Sequence, residues 1–155
     1  MRKLSLLVLV VLGAIGCGGG SSSPESRLVG EWIVFDSTST NAVGLTFNSD
    51  GTYAAQQLEL TSSTSANDEG EGGVYTATTS AITFTPQKSS CPGPDPVYTF
   101  SYSFNAASLV ISAPSGVISF ERNPYANSGA SGTLTFGCFQ ADGSFVPEPI
   151  APVGN

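Results

Sequence analysis

The sequence predicts an all-β protein: an antiparallel up-and-down β-barrel of about eight strands, followed by a C-terminal β-hairpin. From residue 28 onward there is no helical periodicity longer than one turn. Short runs of β-branched and aromatic residues recur instead, separated by Gly, Asn, Asp, Pro and Ser, which is typical of strands joined by tight turns. Closing so many short strands into a barrel removes the exposed edges of the sheet.

Ten strand-like runs follow one another along the chain. The clearest is Tyr98–Phe104, where aromatic residues take every second position and hydroxyl residues lie between them. Because side chains alternate between the two faces of a strand, we expect one face of this strand to be apolar and buried and the other to be solvent-exposed. The runs cover residues 30–37, 43–48, 51–60, 73–79, 81–86, 96–104, 108–112, 116–122, 132–140 and 143–147.

Turn residues predict how these strands are connected. Asn48–Gly51 and Ala141–Gly143 each place an Asp-Gly pair between two strands, as tight hairpins require. The acidic, Gly-rich stretch 61–73 predicts a loop or hairpin tip. Residues 86–96 contain four prolines and are expected to lie outside any central strand. The Pro-rich tail 147–155 is expected to be extended and outside the sheet.

The composition excludes several classes of function. The 155 residues suffice for one domain. Acidic residues number 12 and basic residues 5, which argues against nucleic acid or an anionic membrane face as a partner. The chain has no histidine, so His-based triads and His metal sites are excluded. We predict no cofactor, no metal site and no catalytic residue.

Few side chains offer catalytic or metal-binding chemistry. The carboxylates within 68–71 can bind a hard cation such as Ca²⁺, but their spacing matches no calcium loop, so a solvated loop is the preferred interpretation. Glu59 and Glu121 are a candidate acid–base pair that nothing in the sequence brings together. There is no Gly-x-Ser-x-Gly nucleophile motif. A hydrolase is therefore the least favoured class.

The first 16 residues have the features of a signal peptide. Arg2 and Lys3 give the N-terminal segment a positive charge, and the uncharged run Leu4–Gly16 follows. At about 1.5 Å per residue, a helix of this run is shorter than the roughly 30 Å hydrocarbon core of a membrane. The run therefore predicts a secretion signal, not a membrane span.

The end of this run, Ala14-Ile15-Gly16-Cys17, is followed by a Gly/Ser-rich stretch. It resembles the lipobox of bacterial lipoproteins, in which a small residue precedes a cysteine that is acylated. The resemblance implies that Cys17 is lipidated, that 17–27 is a flexible tether, and that the lipid bilayer is the partner. Gly18, with no Asp in its place, implies sorting to the outer membrane of the envelope, on its periplasmic or its surface face. The alternative is an ordinary signal peptide with an incidental cysteine.

Cys91 and Cys138 remain once Cys17 carries lipid. An even pair in an exported, oxidising compartment predicts a disulfide. Two free buried thiols and a metal site are the alternatives. Two thiols without histidine make a poor set of metal ligands, so the disulfide is favoured.

Three motifs follow one another within residues 28–122. Gly30-Glu31-Trp32 opens the first strand, the Asp50-Gly51 hairpin follows, and Phe120-Glu121-Arg122 ends the eighth run. This order resembles the lipocalin-like domains of bacterial lipoproteins. The resemblance implies an eight-stranded barrel over 28–122, with Arg122 across Trp32 at its closed end. Residues 123–155 depart from the resemblance and form an extra hairpin and a Pro-rich tail.

Two candidate functions differ in whether the inward-facing side chains fill the interior of the barrel. A small barrel is either filled by its own side chains or holds one ligand. We expect a membrane-tethered, non-catalytic envelope lipoprotein whose barrel holds a small apolar molecule. The alternative is a structural or interaction module with a filled interior that binds partners by its outer surface. The side chains expected to line the interior are Val34, Phe47, Tyr53, Ile82, Phe84, Tyr98, Phe100, Tyr102 and Phe104.

Overall fold

The computed structural model describes residues 26–38, 40–62, 65–93, 96–124, 133–148 and 150–152. The predicted leader, Cys17 and nearly all of the predicted tether lie outside the described residues. Within the described ranges, no helix has the length and hydropathy needed to cross a membrane. The strands are β1 (Gly30–Phe35), β2 (Asn41–Phe47), β3 (Thr52–Ser62), β4 (Ser65–Ala77), β5 (Ala81–Ser89), β6 (Tyr98–Asn105), β7 (Ser108–Ala113), β8 (Gly116–Arg122), β9 (Thr133–Phe139), β10 (Phe145–Pro147) and β11 (Ala151–Pro152).

Strands β1 to β8 form a closed ring. Each strand pairs antiparallel with the next one in sequence, and β8 returns to pair with β1. Gly51 at φ +83° and Gly143 at φ +88° occupy the predicted hairpin turns, in the left-handed region that favours glycine. The predicted all-β, up-and-down barrel of eight strands with a C-terminal hairpin is confirmed.

Three further strands lie outside the ring. β9 runs parallel to the first part of β4, and β10 pairs antiparallel with β9. β11 pairs with the end of β5 through Ala151 and Pro152. The expectation that the whole tail 147–155 lies outside the sheet was wrong at these two residues and at Pro147, which pairs with Gly137 as the last residue of β10. For β11, the reason is that β6 pairs only with Ala81–Phe84 of β5, which leaves the rest of that β5 edge open to another strand.

Two of the predicted loops are largely strand. The acidic stretch 61–73 belongs mostly to β3 and β4, because β3 on one side of β4 and β9 or β5 on the other satisfy its backbone. β5 also continues past Pro86 to Ser89, with a bulge where Gly72 and Gly73 face it. A Cβ on Gly73 would lie 2.1 Å from the Thr85 carbonyl oxygen. The proline is tolerated because a bulge interrupts the regular ladder.

The seam between β1 and β8 closes the ring. Among the described residues, it contains the register pairs Trp32–Arg122 and Ile33–Glu121, and beyond them Asn123 donates from its backbone N–H to the Glu31 carbonyl at 2.9 Å and from Nδ2 to Glu31 Oε2 at 3.0 Å. The Arg122 guanidinium strengthens it: Nη1 donates to the Val29 carbonyl and Nη2 to the Arg27 carbonyl, each at 2.7 Å. A short seam is thus reinforced by a side chain that binds the backbone preceding β1.

The same guanidinium covers the Trp32 indole, with its central carbon 3.9 Å from the ring centroid. The indole Nε1 donates to the Leu28 carbonyl at 2.7 Å, and Leu28 is fully buried. Arg27 lies 4.0 Å over the Phe104 ring. Arg27 and Leu28 therefore close one end of the barrel through one cation–π contact and one buried hydrogen bond, beside the cation–π contact of Arg122 with Trp32.

Gly30 makes room for this arrangement. Its φ is +124°, and a Cβ at this position would lie 2.2 Å from Arg122 Nη1. The glycine of the Gly-x-Trp motif is therefore required both by its backbone conformation and by the guanidinium beside it.

We predict that Gly30→Ala lowers the free energy of unfolding by about 2–4 kcal/mol, because backbone strain and a displaced Arg122 add together. Gly93→Ala is the matched control, since Gly93 has φ +123° and open space where a Cβ would be. It should cost only the strain, about 1–2 kcal/mol. Denaturant titration of both variants measures the difference, and emission from Trp32, the only tryptophan, should change in Gly30→Ala alone. Equal losses would contradict the role given to Arg122.

Candidate functional site

The side chains that were expected to line a ligand cavity form the hydrophobic core. Phe84 is 1% exposed, and its ring centroid lies 4.8–6.2 Å from those of four other rings. The four neighbouring rings belong to Phe47, Tyr53, Tyr98 and Phe100. All nine expected residues belong to the core cluster or pack against it. These separations are those of aromatic rings in direct contact, so the rings themselves occupy the space around Phe84.

A carboxyl group is buried among these rings. Glu71 is 6% exposed, and its Oε1 accepts hydrogen bonds from the hydroxyls of Tyr53 and Tyr98. Burial, together with the neighbouring Tyr98 and Glu71, raises the pKa of Tyr53 far above its usual range. Tyr53 therefore stays protonated and remains a hydrogen-bond donor to the carboxyl group. A buried acid inside an aromatic core is stabilised by such donors.

Two strands pair in turn with the same edge of β4. β9 pairs with Ser65–Asp68, and β5 pairs with Glu71–Ala77. Ser90, which directly follows β5, is 1% exposed and contacts both β4 and β9. Its Oγ accepts from the Gly70 N–H at 2.7 Å and donates to the Gly137 carbonyl at 2.6 Å. Because neither strand can supply these backbone bonds at the point of separation, one hydroxyl supplies both. We call this point, formed by Glu69, Gly70, Ser90, Cys91, Gly137 and Cys138, the strand fork.

A disulfide and a carboxylate complete the strand fork. Cys91 and Cys138 are bonded, with S–S 2.08 Å and Cα–Cα 4.8 Å, so the predicted disulfide is confirmed. Glu69 is 2% exposed, and its Oε2 accepts from the Phe139 N–H at 2.6 Å. The fork therefore fastens the C-terminal hairpin to the barrel by one covalent link and by hydrogen bonds from buried side chains.

A third buried acid lies on the other face of β4. Asp68 is fully buried; Gln56 Nε2 donates to its Oδ2 at 2.9 Å, and its Oδ1 has no hydrogen-bond partner. Burial raises the pKa of Asp68 to about 7; the Glu69 charge adds to this and the Gln56 hydrogen bond opposes it. The interpretation of residues 68–71 as a solvated loop was therefore wrong. These acids are held in a paired strand, where side chains donate hydrogen bonds to Asp68 and Glu71 and the Phe139 N–H donates to Glu69.

The structure does not bring Glu59 and Glu121 together. Glu59 shares the inward face of β3 with Tyr53, six residues earlier, and accepts from Asn67 Nδ2 at 3.1 Å. Glu121 is exposed and follows the buried, inward-facing Phe120 on β8. The two carboxylates therefore lie on opposite faces of the barrel wall.

A groove of about 680 Å³ is lined by residues of β1 to β5 and of the β2–β3 turn, including the core residues Phe47 and Tyr53. Part of its polar lining is already hydrogen-bonded: Asp50 Oδ1 accepts from the Thr52 N–H at 2.9 Å and from its hydroxyl. Asn48 Nδ2 donates to the Thr52 hydroxyl at 2.9 Å. Lys88, at the β5 side, is exposed. The lining residues are Val29, Gly30, Glu31, Thr46, Phe47, Asn48, Ser49, Asp50, Thr52, Tyr53, Gly72, Gly73, Gln87 and Lys88.

Sequence reasoning missed the buried acids and the strand fork. One signal was present: Glu69 and Glu71 alternate with glycines, and this period of two is compatible with a strand. Nothing local to Ser90 distinguishes it from the other serines, because its partners lie 20 and 47 residues away in sequence.

Comparison with protein-family models, with curated proteins and with solved structures finds no match to this chain. The lipocalin-like resemblance and the lipobox therefore stay predictions from the sequence.

We predict that Asp68→Asn makes the protein more stable than the unmodified chain at pH 8 but not at pH 4. The unfolded aspartate ionises near pH 3.8, whereas the folded one holds its proton to about pH 7. Stability is therefore lost as the pH rises between these values, by about 4 kcal/mol at most. Denaturant titrations at both pH values measure the difference between the two proteins. The same pH dependence in both would contradict the assignment.

Proposed function

We propose that this chain is a non-catalytic module of a bacterial cell envelope, anchored to a bilayer through acylated Cys17, with a barrel interior that serves as a structural core. The contact of Phe84 with four aromatic rings is the observation that carries the second part of the proposal. A ligand of several hundred Å³ inside the ring would have to displace these rings, at a cost in packing energy. The filled interior is therefore favoured over the ligand-holding barrel.

The buried polar groups support the same proposal. A pocket for a small molecule presents a few polar groups to its ligand. Inside this barrel, the hydroxyls of Tyr53 and Tyr98 donate to Glu71, and the Tyr102 hydroxyl donates to the Thr78 carbonyl at 2.7 Å. These hydroxyls are used within the protein, which is what a structural core requires.

The groove supports a second candidate, binding of a polar small molecule by residues of β1 to β5. Its volume of about 680 Å³ lies within the usual range for ligand sites. Its charged lining residues are Glu31 on β1, Asp50 in the β2–β3 turn and Lys88 on β5. A ligand with both donor and acceptor groups matches this lining better than an apolar one does.

We predict that the unmodified chain shows no saturable binding of the neutral, apolar fluorophore N-phenyl-1-naphthylamine. Phe84→Ala removes the central ring and should open an apolar cavity that binds benzene, at a cost of about 3–5 kcal/mol in stability. Phe100→Ala, at a half-buried ring, is the milder variant if Phe84→Ala does not fold. One-to-one binding to the unmodified chain would overturn the filled interior and support the ligand-holding barrel.

Native mass spectrometry of protein extracted gently from membranes separates the interior from the groove. A co-purifying molecule that is lost in Lys88→Ala would belong to the groove. One that is retained in Lys88→Ala would belong to the interior and would contradict the proposal.

We predict that Cys17→Ser moves the protein from the membrane fraction to the soluble fraction. Acyl chains contribute about 0.8 kcal/mol per buried methylene, and the serine cannot carry them by the same route. Ser23→Ala changes a tether residue and leaves the cysteine in place, so this control should stay with the membrane. Membrane retention of Cys17→Ser would overturn the anchor.

A further inference from the structure

Three atoms that can ligate a metal ion meet at the strand fork. A carboxylate oxygen of Glu69 and the two sulfurs of Cys91 and Cys138 lie within 4.8 Å of one another. They come from β4, from the segment after β5 and from β9, respectively. Glu69 and Cys138 are buried and Cys91 is half-buried. In this structure the sulfurs are joined to each other, so their ligating capacity is used by the disulfide.

We propose that the strand fork is also a redox-dependent metal site: when the disulfide is reduced, Cys91, Cys138 and Glu69 bind one divalent ion of the Zn²⁺ type. Tetrahedral zinc with these ligands requires sulfurs roughly 3.8 Å apart and each sulfur roughly 3.6 Å from the oxygen. The carboxylate oxygen and the two sulfurs already lie within 4.8 Å of one another, so the three ligands are close to the spacing that the ion requires. A water molecule supplies the fourth ligand.

Charge favours a cation at the reduced fork. Two thiolates beside the buried Glu69 carboxylate would place three negative charges in one partly desolvated site, which is strongly unfavourable. The reduced pair must therefore either keep its protons or bind a divalent cation. Glu69 is already oriented by the Phe139 N–H at 2.6 Å, in the way that outer hydrogen bonds orient the ligands of metal sites.

The chemistry balances with a dithiol as reductant. The Cys91–Cys138 bond breaks, each sulfur gains one electron and one proton, and the dithiol is oxidised to its own disulfide. Metal binding then releases the two thiol protons to the solvent. The ion replaces the covalent bond as the link between the β9–β10 hairpin and the barrel, so the hairpin stays fastened in both redox states.

Co²⁺ is a suitable probe, because its tetrahedral thiolate complexes absorb in the ultraviolet and visible ranges. The exported chain carrying Cys17→Ser is used, so that Cys91 and Cys138 are its only cysteines, and a phosphine reduces the disulfide. The phosphine takes up the oxygen of a water molecule and the two thiols take up its protons. We expect one Co²⁺ per reduced chain, with charge-transfer bands from thiolate ligands, and no such bands in the oxidised chain.

Glu69→Gln tests the third ligand and should weaken Co²⁺ binding at least tenfold. Glu59→Gln is the matched control: Glu59 is a half-buried carboxylate on the neighbouring strand and lies outside the fork, so binding should be unchanged. Absence of Co²⁺ binding in the reduced, folded chain overturns the proposal, and so does equal binding by Glu69→Gln. If reduction alone unfolds the protein, Co²⁺ should restore the emission of Trp32, and failure to restore it also overturns the proposal.

Discussion

The closure of the ring at one short seam is the constraint on which the rest of the structure depends. β1 and β8 share only two register pairs, so backbone bonds alone hold the ring weakly at this point. Arg122 compensates by binding the backbone before β1 and covering the Trp32 indole. The contact also brings residues 26–28 over the end of the barrel, where Leu28 is buried. Arg122 thus joins the last strand of the ring to the chain before the first, while Asn123 adds hydrogen bonds to Glu31 of β1.

Once the ring is closed, β4 carries most of the buried polar chemistry. Asp68 lies on one face, and Glu69 and Glu71 lie on the other. Each acid receives a hydrogen bond from another strand: Gln56 of β3 donates to Asp68, the Phe139 N–H of β9 to Glu69, and Tyr53 of β3 and Tyr98 of β6 to Glu71. Buried carboxyl groups with dedicated donors make the packing specific, but they leave little polarity in the interior for a ligand.

Much of the barrel was predictable because its signals are local. The alternation in Tyr98–Phe104 and the Asp50-Gly51 turn depend on neighbouring residues only, and both predicted the correct element. The errors in 61–73 and at Pro86 have the opposite cause. Polar, glycine-rich or proline-containing segments have low strand propensity, yet pairing partners far away in sequence keep them in the sheet. Local composition contains no information about those partners.

The sequence by itself determined the fold class, the inward-facing aromatic residues and the pairing of Cys91 with Cys138. Each of these follows from periodicity or from counting residues, which need no coordinates. Only the tertiary structure decided that the aromatic rings pack against one another, that Glu69 lies beside the disulfide, and that Ser90 links β4 to β9. The physical reason is that burial and hydrogen bonding depend on distances in space, and in a closed barrel residues far apart in sequence become neighbours.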